Sequence, residues 1–297
     1  MRRMTDSNII RPDFPASFIA RHPQTAPLAL EIAEELWSIA RQANLESLAR
    51  HSPALRGFDW NAYLRMSAIR VVSAYEALVR AGVRKGRLLD FGAYFGNFSL
   101  FFARMGYQVE ALDAYQTYRA AFEAVNDRQK AAGIRVLDFS DFDDDLSALP
   151  QGRYDAVLLM GVIEHIPHSP RLVFEVANRV LDDGGVLVLD TPNISYEYNR
   201  ARFSAGDSIH CPIKFQYDTE IPFEGHHREY TTAEILWMLE RLGHETLEVT
   251  HFNYSICALP ELTGIDAERY RLMEKDPERR ELILTTSRKK LSPRATS

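Results

Sequence analysis

The sequence predicts an α/β fold built on a largely parallel sheet, and three observations carry that prediction. The run from Arg87 to Leu100 reads as a buried strand, a turn bearing Gly92 and Gly96, and the start of a helix. Glycine serves where the backbone takes positive φ or approaches a ligand closely, and the helix that follows offers free N–H groups. The run from Tyr107 to Asp113 reads as a second strand, ending on an acid about 20 residues beyond the turn, where nucleotide-binding sheets present a carboxylate to ribose hydroxyls. The run from Tyr154 to Met160 is apolar nearly throughout, as expected of a strand covered by helices on both faces.

The remaining elements follow in order. Residues 1–27 contain Pro12, Pro15, Pro23 and Pro27 and read as an extended, partly mobile arm. Leu28–Leu48 and Asp59–Val83 have apolar residues at helical spacing, with Asp59 as the N-cap of the second helix. Ile134–Leu137 reads as a third strand, followed by an acidic turn from Asp138 to Phe142, and Pro170–Leu181 as a helix. A fifth strand ends near Asn193. A long connection then leads to a helix capped by Thr231 and ended by Gly243. Glu245–His251 and Glu281–Thr286 read as strands six and seven, with a helical insertion over Leu259–Arg280 and a polar, basic tail from Ser287.

Composition narrows the function. The 297-residue chain has a formal net charge of −6, which disfavours binding to a phosphate backbone. No apolar run is long enough to span a membrane, and the start lacks the apolar stretch of a signal peptide, so cytoplasmic residence is expected. Cys211 and Cys257 are too few and too far apart for a disulfide framework or a thiolate metal site.

The turn is spaced Asp-x-Gly-x-x-x-Gly, without the third glycine of the dinucleotide fingerprint, which argues against a NAD-dependent dehydrogenase. This spacing, with the strands after it over roughly residues 86–252, resembles the motifs of the class I S-adenosylmethionine (SAM)-dependent methyltransferases. The resemblance implies a Rossmann-like sheet of seven strands with the last antiparallel. It also implies three regions: an N-terminal arm and helical cap over 1–85, a methyltransferase domain over 86–288, and a flexible tail over 289–297. SAM is the implied cofactor. By the same resemblance Asp90, Gly92, Ala93, Tyr94 and Gly96 form the turn against its methionine and ribose portions, and Asp113 accepts the ribose hydroxyls. Asp141 and Phe142 hold the adenine, and Met160, Gly161 and Val162 line the sulfonium end. Tyr94 replaces the glycine common at the middle of this turn, so its side chain must point away from the cofactor or over it.

The connection over 191–230 carries many aromatics and His210, His226 and His227, and it leaves the sheet at a carboxyl end of a strand. These features predict a lid over an organic acceptor. Methyl transfer requires alignment and, for a hydroxyl acceptor, a base near neutral pH. Glu164, His165 and His226 are the candidates, with His226 preferred as the base. Glu164-His165 and the segment His226–Thr231 resemble parts of the ubiquinone-type O-methyltransferases and of the small-RNA 2′-O-methyltransferases, and Thr191-Pro192-Asn193 is similar to the latter. The small-RNA group holds a divalent ion on two glutamates and histidines. Gly161 stands where the first glutamate would be, so no metal is expected. The predicted activity is O-methylation of a small molecule such as a sugar, lipid precursor or secondary metabolite. An N-methyltransferase, an RNA 2′-O-methyltransferase and a non-catalytic SAM-binding regulator are the alternatives. Neither nucleic acid nor membrane is an expected partner, and a homodimer is left open.

Overall fold

The computed structural model describes residues 9–10, 13–50, 52–115, 119–139, 149–220, 222–258 and 265–291. Its centre is a seven-stranded sheet of β2 (Arg87–Phe91), β3 (Gln108–Asp113), β4 (Arg135–Asp138), β5 (Tyr154–Met160), β6 (Leu181–Pro192), β7 (His244–Phe252) and β9 (Leu282–Lys289). The order across the sheet is β4-β3-β2-β5-β6-β9-β7. β9 runs antiparallel to both its neighbours, and the pairs from β4 to β6 are parallel. The Rossmann-like sheet with its last strand antiparallel is thus present. A separate two-residue ladder joins β1 (Ile9–Ile10) to β8 (Ile265–Asp266).

Period-two alternation divides the core between the two faces of this sheet. On β5, Ala156, Leu158 and Met160 join one apolar cluster, whereas Val157 and Leu159 join the other. The first face is covered by α2 (Ala26–Ala40), α3 (Trp60–Arg80), α4 (Asn97–Arg104) and α5 (Arg119–Ala131). The second is covered by α6 (Arg171–Val180) and α9 (Thr232–Arg241). Two helix starts follow the predicted capping chemistry. The Asp59 carboxylate accepts from the Ala62 N–H at 2.9 Å, and Thr231 with Glu234 forms a reciprocal capping box on α9.

Several expectations need correction. The arm is not extended over its described part: Ala16–Arg21 forms α1, and Phe18 is buried in the core and stacked on Phe14. The helix expected over 28–48 ends at Ala40 and is followed by a 3₁₀ segment, Leu45–Arg50. The strand expected to stop at Thr286 runs to Lys289. Because β9 lies between β6 and β7, both its edges are paired, and its buried polar side chains find partners there: Ser287 Oγ meets His244 Nδ1 at 2.9 Å. Arg288 donates to the carbonyls of Gly184 and Ala81. Of the helical insertion over 259–280, α11 (Ala267–Lys275) is described, and residues 259–264 lie outside the described residues. Among the described residues no helix is long and apolar enough to cross a membrane.

Candidate active site

Chain order reverses beside β2: the chain goes outward through β3 and β4, then returns to β5 on the other side. In open α/β sheets ligands bind in the crevice at the carboxyl ends of strands at such a switch point. The turn after β2 and the turn after β5 meet there. Gly92 has φ +85°, and a Cβ on it would fall 2.4 Å from Val162 Cγ2. Gly96, at φ +73°, begins α4, and a Cβ there would strike the Gln129 carboxamide. Both glycines are therefore required by close packing of the chain's own side chains as well as by the turn.

Two acids order this turn. Asp90 is buried, accepts from Ser99 Oγ at 2.6 Å, and is pushed up to about 7 by burial. Asp113 accepts the Tyr94 and Ala114 N–H groups, each at 2.7 Å, and burial pushes it up to about 6 against those two bonds. Each carboxylate oxygen keeps a further lone pair. The Tyr94 backbone takes positive φ, at 48°, and its ring packs edge-on against Phe95 and Phe122, near Trp60 and Tyr63. The side chain therefore joins an aromatic cluster. Ala93 is buried in the turn, Met160 ends β5, and Asp141 and Phe142 lie outside the described residues.

Glu164, His165 and His226 come together from two separate stretches. Glu164 and His165 lie on a 3₁₀ turn after β5, and His226 belongs to the returning end of the connection that leaves β6. Each offers one ligand atom within 4.8 Å of the others. The Glu164 carboxyl is buried, accepts from Thr191 Oγ1 at 3.1 Å, and is raised by that burial, with the His226 charge opposing. His165 is exposed, its Nδ1 meets the Glu224 carbonyl at 2.8 Å, and loss of solvation among the surrounding groups, aided by the neighbouring His226, lowers it. Burial also pulls on His226, but its Nδ1 contact with Glu229 at 3.4 Å and the Glu164 charge outweigh that and raise it. The two imidazoles stand edge to face, 4.9 Å apart. His227 bonds instead to Phe223 O, and Asn193, just after β6, donates to the Glu278 and Arg280 carbonyls.

Sequence reasoning missed Arg70. This α3 residue is 7% exposed, and its guanidinium is bidentate on Asp190, at 2.8 and 2.6 Å. It lies between the rings of Phe98 and Tyr254, each 5.6 Å away. A Cβ on Gly161 would come within 2.7 Å of its Nη2 and 3.3 Å of Glu164 Oε1, so Arg70 fills the space that a side chain at 161 would need. A charged residue on an otherwise buried helix face, with Ser67 one turn before it, was the available signal.

The donor set fits SAM: an acid with free lone pairs at the end of β3, an α4 N-terminus that no side chain caps, and a buried guanidinium. Fold and site define a class I SAM-dependent methyltransferase. The chain belongs to the methyltransferase domain family, whose model matches residues 62–249. The ubiquinone biosynthesis O-methyltransferase of Xanthomonas oryzae pv. oryzae is 33% identical over 129 residues, covering 43% of this chain and 52% of that protein. The same enzyme of Xanthomonas campestris pv. campestris is 30% identical over 129 residues, with the same coverage. The chain spans about half the length of these curated relatives. Among solved structures, a putative sarcosine dimethylglycine methyltransferase from Galdieria sulphuraria shares the fold at TM-score 0.50 and 15% identity, covering 76% of this chain and 88% of that one. The complex between the Haloferax volcanii Trm112 methyltransferase activator and a putative methyltransferase gives TM-score 0.51 and 17% identity, covering 76% and 92%.

Proposed function

We propose that the enzyme methylates a hydroxyl of a small organic acceptor, with His226 as the general base. The observation that supports this reading most is the chain Glu229–His226–Glu164. Glu229 accepts from Nδ1 and so fixes the tautomer that leaves Nε2 free to take a proton, and the carboxylates favour the imidazolium that results. SAM supplies an electrophilic methyl on its sulfonium. The chain's own residues need only align the acceptor and hold its proton. Asp113 takes the ribose hydroxyls, Gly92, Ala93, Tyr94 and Gly96 shape the turn, and Met160, Gly161 and Val162 border the sulfonium end. Arg70, whose Nε and Nη2 bond Asp190, supplies a cation for the cofactor carboxylate. The partial match to ubiquinone O-methyltransferases supports oxygen over nitrogen as the methylated atom. His165, held neutral, orients the turn after β5 from the Glu224 carbonyl.

The test is turnover on a panel of phenols, catechols, sugars and primary amines, with and without a chelator. The proposal expects oxygen-bearing acceptors to react, His226→Ala to lose about 100- to 10,000-fold, and activity to survive chelation. A second reading rests on the convergence of Glu164, His165 and His226: the trio would hold a divalent ion that polarises the acceptor. Chelator inactivation with metal-specific rescue would select it.

A further inference from the structure

Among the described residues Tyr94 is the only non-glycine residue with positive φ, at 48°. That backbone region crowds any Cβ and costs glycine nothing, so a large side chain kept there, midway between Gly92 and Gly96, points to a use for it. Its backbone and its ring face different parts of the molecule. The N–H donates to Asp113 at 2.7 Å, which ties the residue into the turn after β2. The ring meets Phe122 of α5 edge-on at 5.0 Å, and its centre lies 6.2 Å from that of Trp60 and 6.4 Å from that of Tyr63. Trp60 and Tyr63 stand at the start of α3, where Trp60 is buried and also lies 5.3 Å from the Phe95 ring. Further along, the same helix carries Arg70, bidentate on Asp190 of β6. The cap helix therefore meets the site at two places, the turn after β2 and β6.

We propose that Tyr94 is a positioning residue that couples the cap helix α3 to cofactor binding: its ring, packed with Trp60 and Tyr63, holds the turn in the shape that receives SAM. A glycine at 94 would take the same φ without strain, but it would leave the turn free to move and the start of α3 without a ring contact. Edge-on and tilted aromatic pairs at these separations are favourable beyond the area they bury, which offsets the backbone cost of tyrosine here. The coupling is reciprocal by thermodynamic necessity, so a docked cap strengthens SAM binding and bound SAM holds the cap down. It rests on the proposed placement of SAM on this turn, which Asp113→Asn tests separately.

SAM affinity is to be measured by calorimetry in the full-length protein, with amide hydrogen exchange over residues 60–66 and over β5 as the reference. In the wild type SAM should slow exchange over 60–66 about tenfold. Tyr94→Gly should bind SAM about tenfold more weakly, and SAM should no longer slow exchange there. Tyr94→Phe, which keeps the ring, should bind SAM at least about fivefold more tightly than Tyr94→Gly. Trp60→Ala should weaken SAM about fivefold in the wild type and add nothing in Tyr94→Gly, a pattern that a general loss of stability would not produce. Exchange over 60–66 that ignores SAM in the wild type would overturn the coupling even if a variant fails to fold. Wild-type SAM affinity in Tyr94→Gly, or Trp60 and Tyr94 losses that simply add, would overturn it too. Unchanged SAM affinity in Asp113→Asn would displace SAM from this turn, and the coupling with it.

Discussion

In the proposed reaction His226 is the base, and its environment makes a signed forecast. Glu229 raises the imidazole, so replacing that carboxylate should lower it. In Glu229→Gln the rise of kcat/KM with pH should move to lower pH, and kcat should fall about tenfold because the imidazolium loses the carboxylate charge that stabilises it. A pH–rate series on both proteins checks the direction; a shift to higher pH would remove Glu229 from the account. Asp113 carries a second forecast. As the proposed acceptor of the ribose hydroxyls it would bind best when ionised, and burial pushes it up to about 6, so SAM affinity should fall about tenfold between pH 7 and pH 5, and Asp113→Asn should abolish that dependence. Arg70→Met should weaken SAM by about 1–3 kcal/mol, read by calorimetry, if its guanidinium meets the cofactor carboxylate. At this scale the glycines and acids were legible because the turn's spacing is local. Arg70 was not, because its meaning depends on Asp190, 120 residues away, and on the missing side chain at Gly161.

Among the elements, those whose signals are local matched the structure most closely. α3 begins at its Asp59 cap, α9 at its Thr231 capping box, and β5 lies where the apolar run placed it. Where partners come from afar, the reading failed. Ser287 reads as the start of a polar tail, yet it is buried because β9 runs on to Lys289 between β6 and β7. Residues 16–21 read as extended because of the prolines flanking them, yet burial of Phe18 carries the segment into a helix. The connection over 191–230 was visible by its length and aromatic content, but the pairs that anchor its first end, Glu197 with Arg269 and Arg279, join it to residues far along the chain. Deleting residues 200–222 should abolish methyl transfer and leave SAM binding intact. A deletion protein that remains fully active would show that the acceptor lies elsewhere.

Across the whole molecule, buried titratable groups set the pH range of stability. His244 is buried between Ser287 and Asn178 and is held down at about 4 by that burial and by Lys289. A histidine whose folded value is depressed costs stability as pH falls below its unfolded value near 6.5, and that loss continues to about 4. Asp90, pushed up to about 7, acts in the opposite sense: its contribution is lost as pH rises from about 4 through 7. Denaturant titrations of wild type and His244→Gln should therefore diverge on acidification, the wild type losing about 2–3 kcal/mol more between pH 7 and pH 4. Parallel curves would show that His244 does not titrate on unfolding. The same sheet that buries these groups brings the turn after β2 and the turn after β5 together at its switch point, and the central claim is that this site methylates oxygen with an imidazole base. The measurement that tests it most directly uses SAM labelled with ¹³C in its methyl group, the acceptor panel and NMR of the product, in chelator, for wild type and His226→Ala. The account predicts a methyl carbon bonded to oxygen, formed by the wild type and reduced by at least about 100-fold in the variant. A methyl bonded to nitrogen, or equal yields from the two proteins, would contradict it.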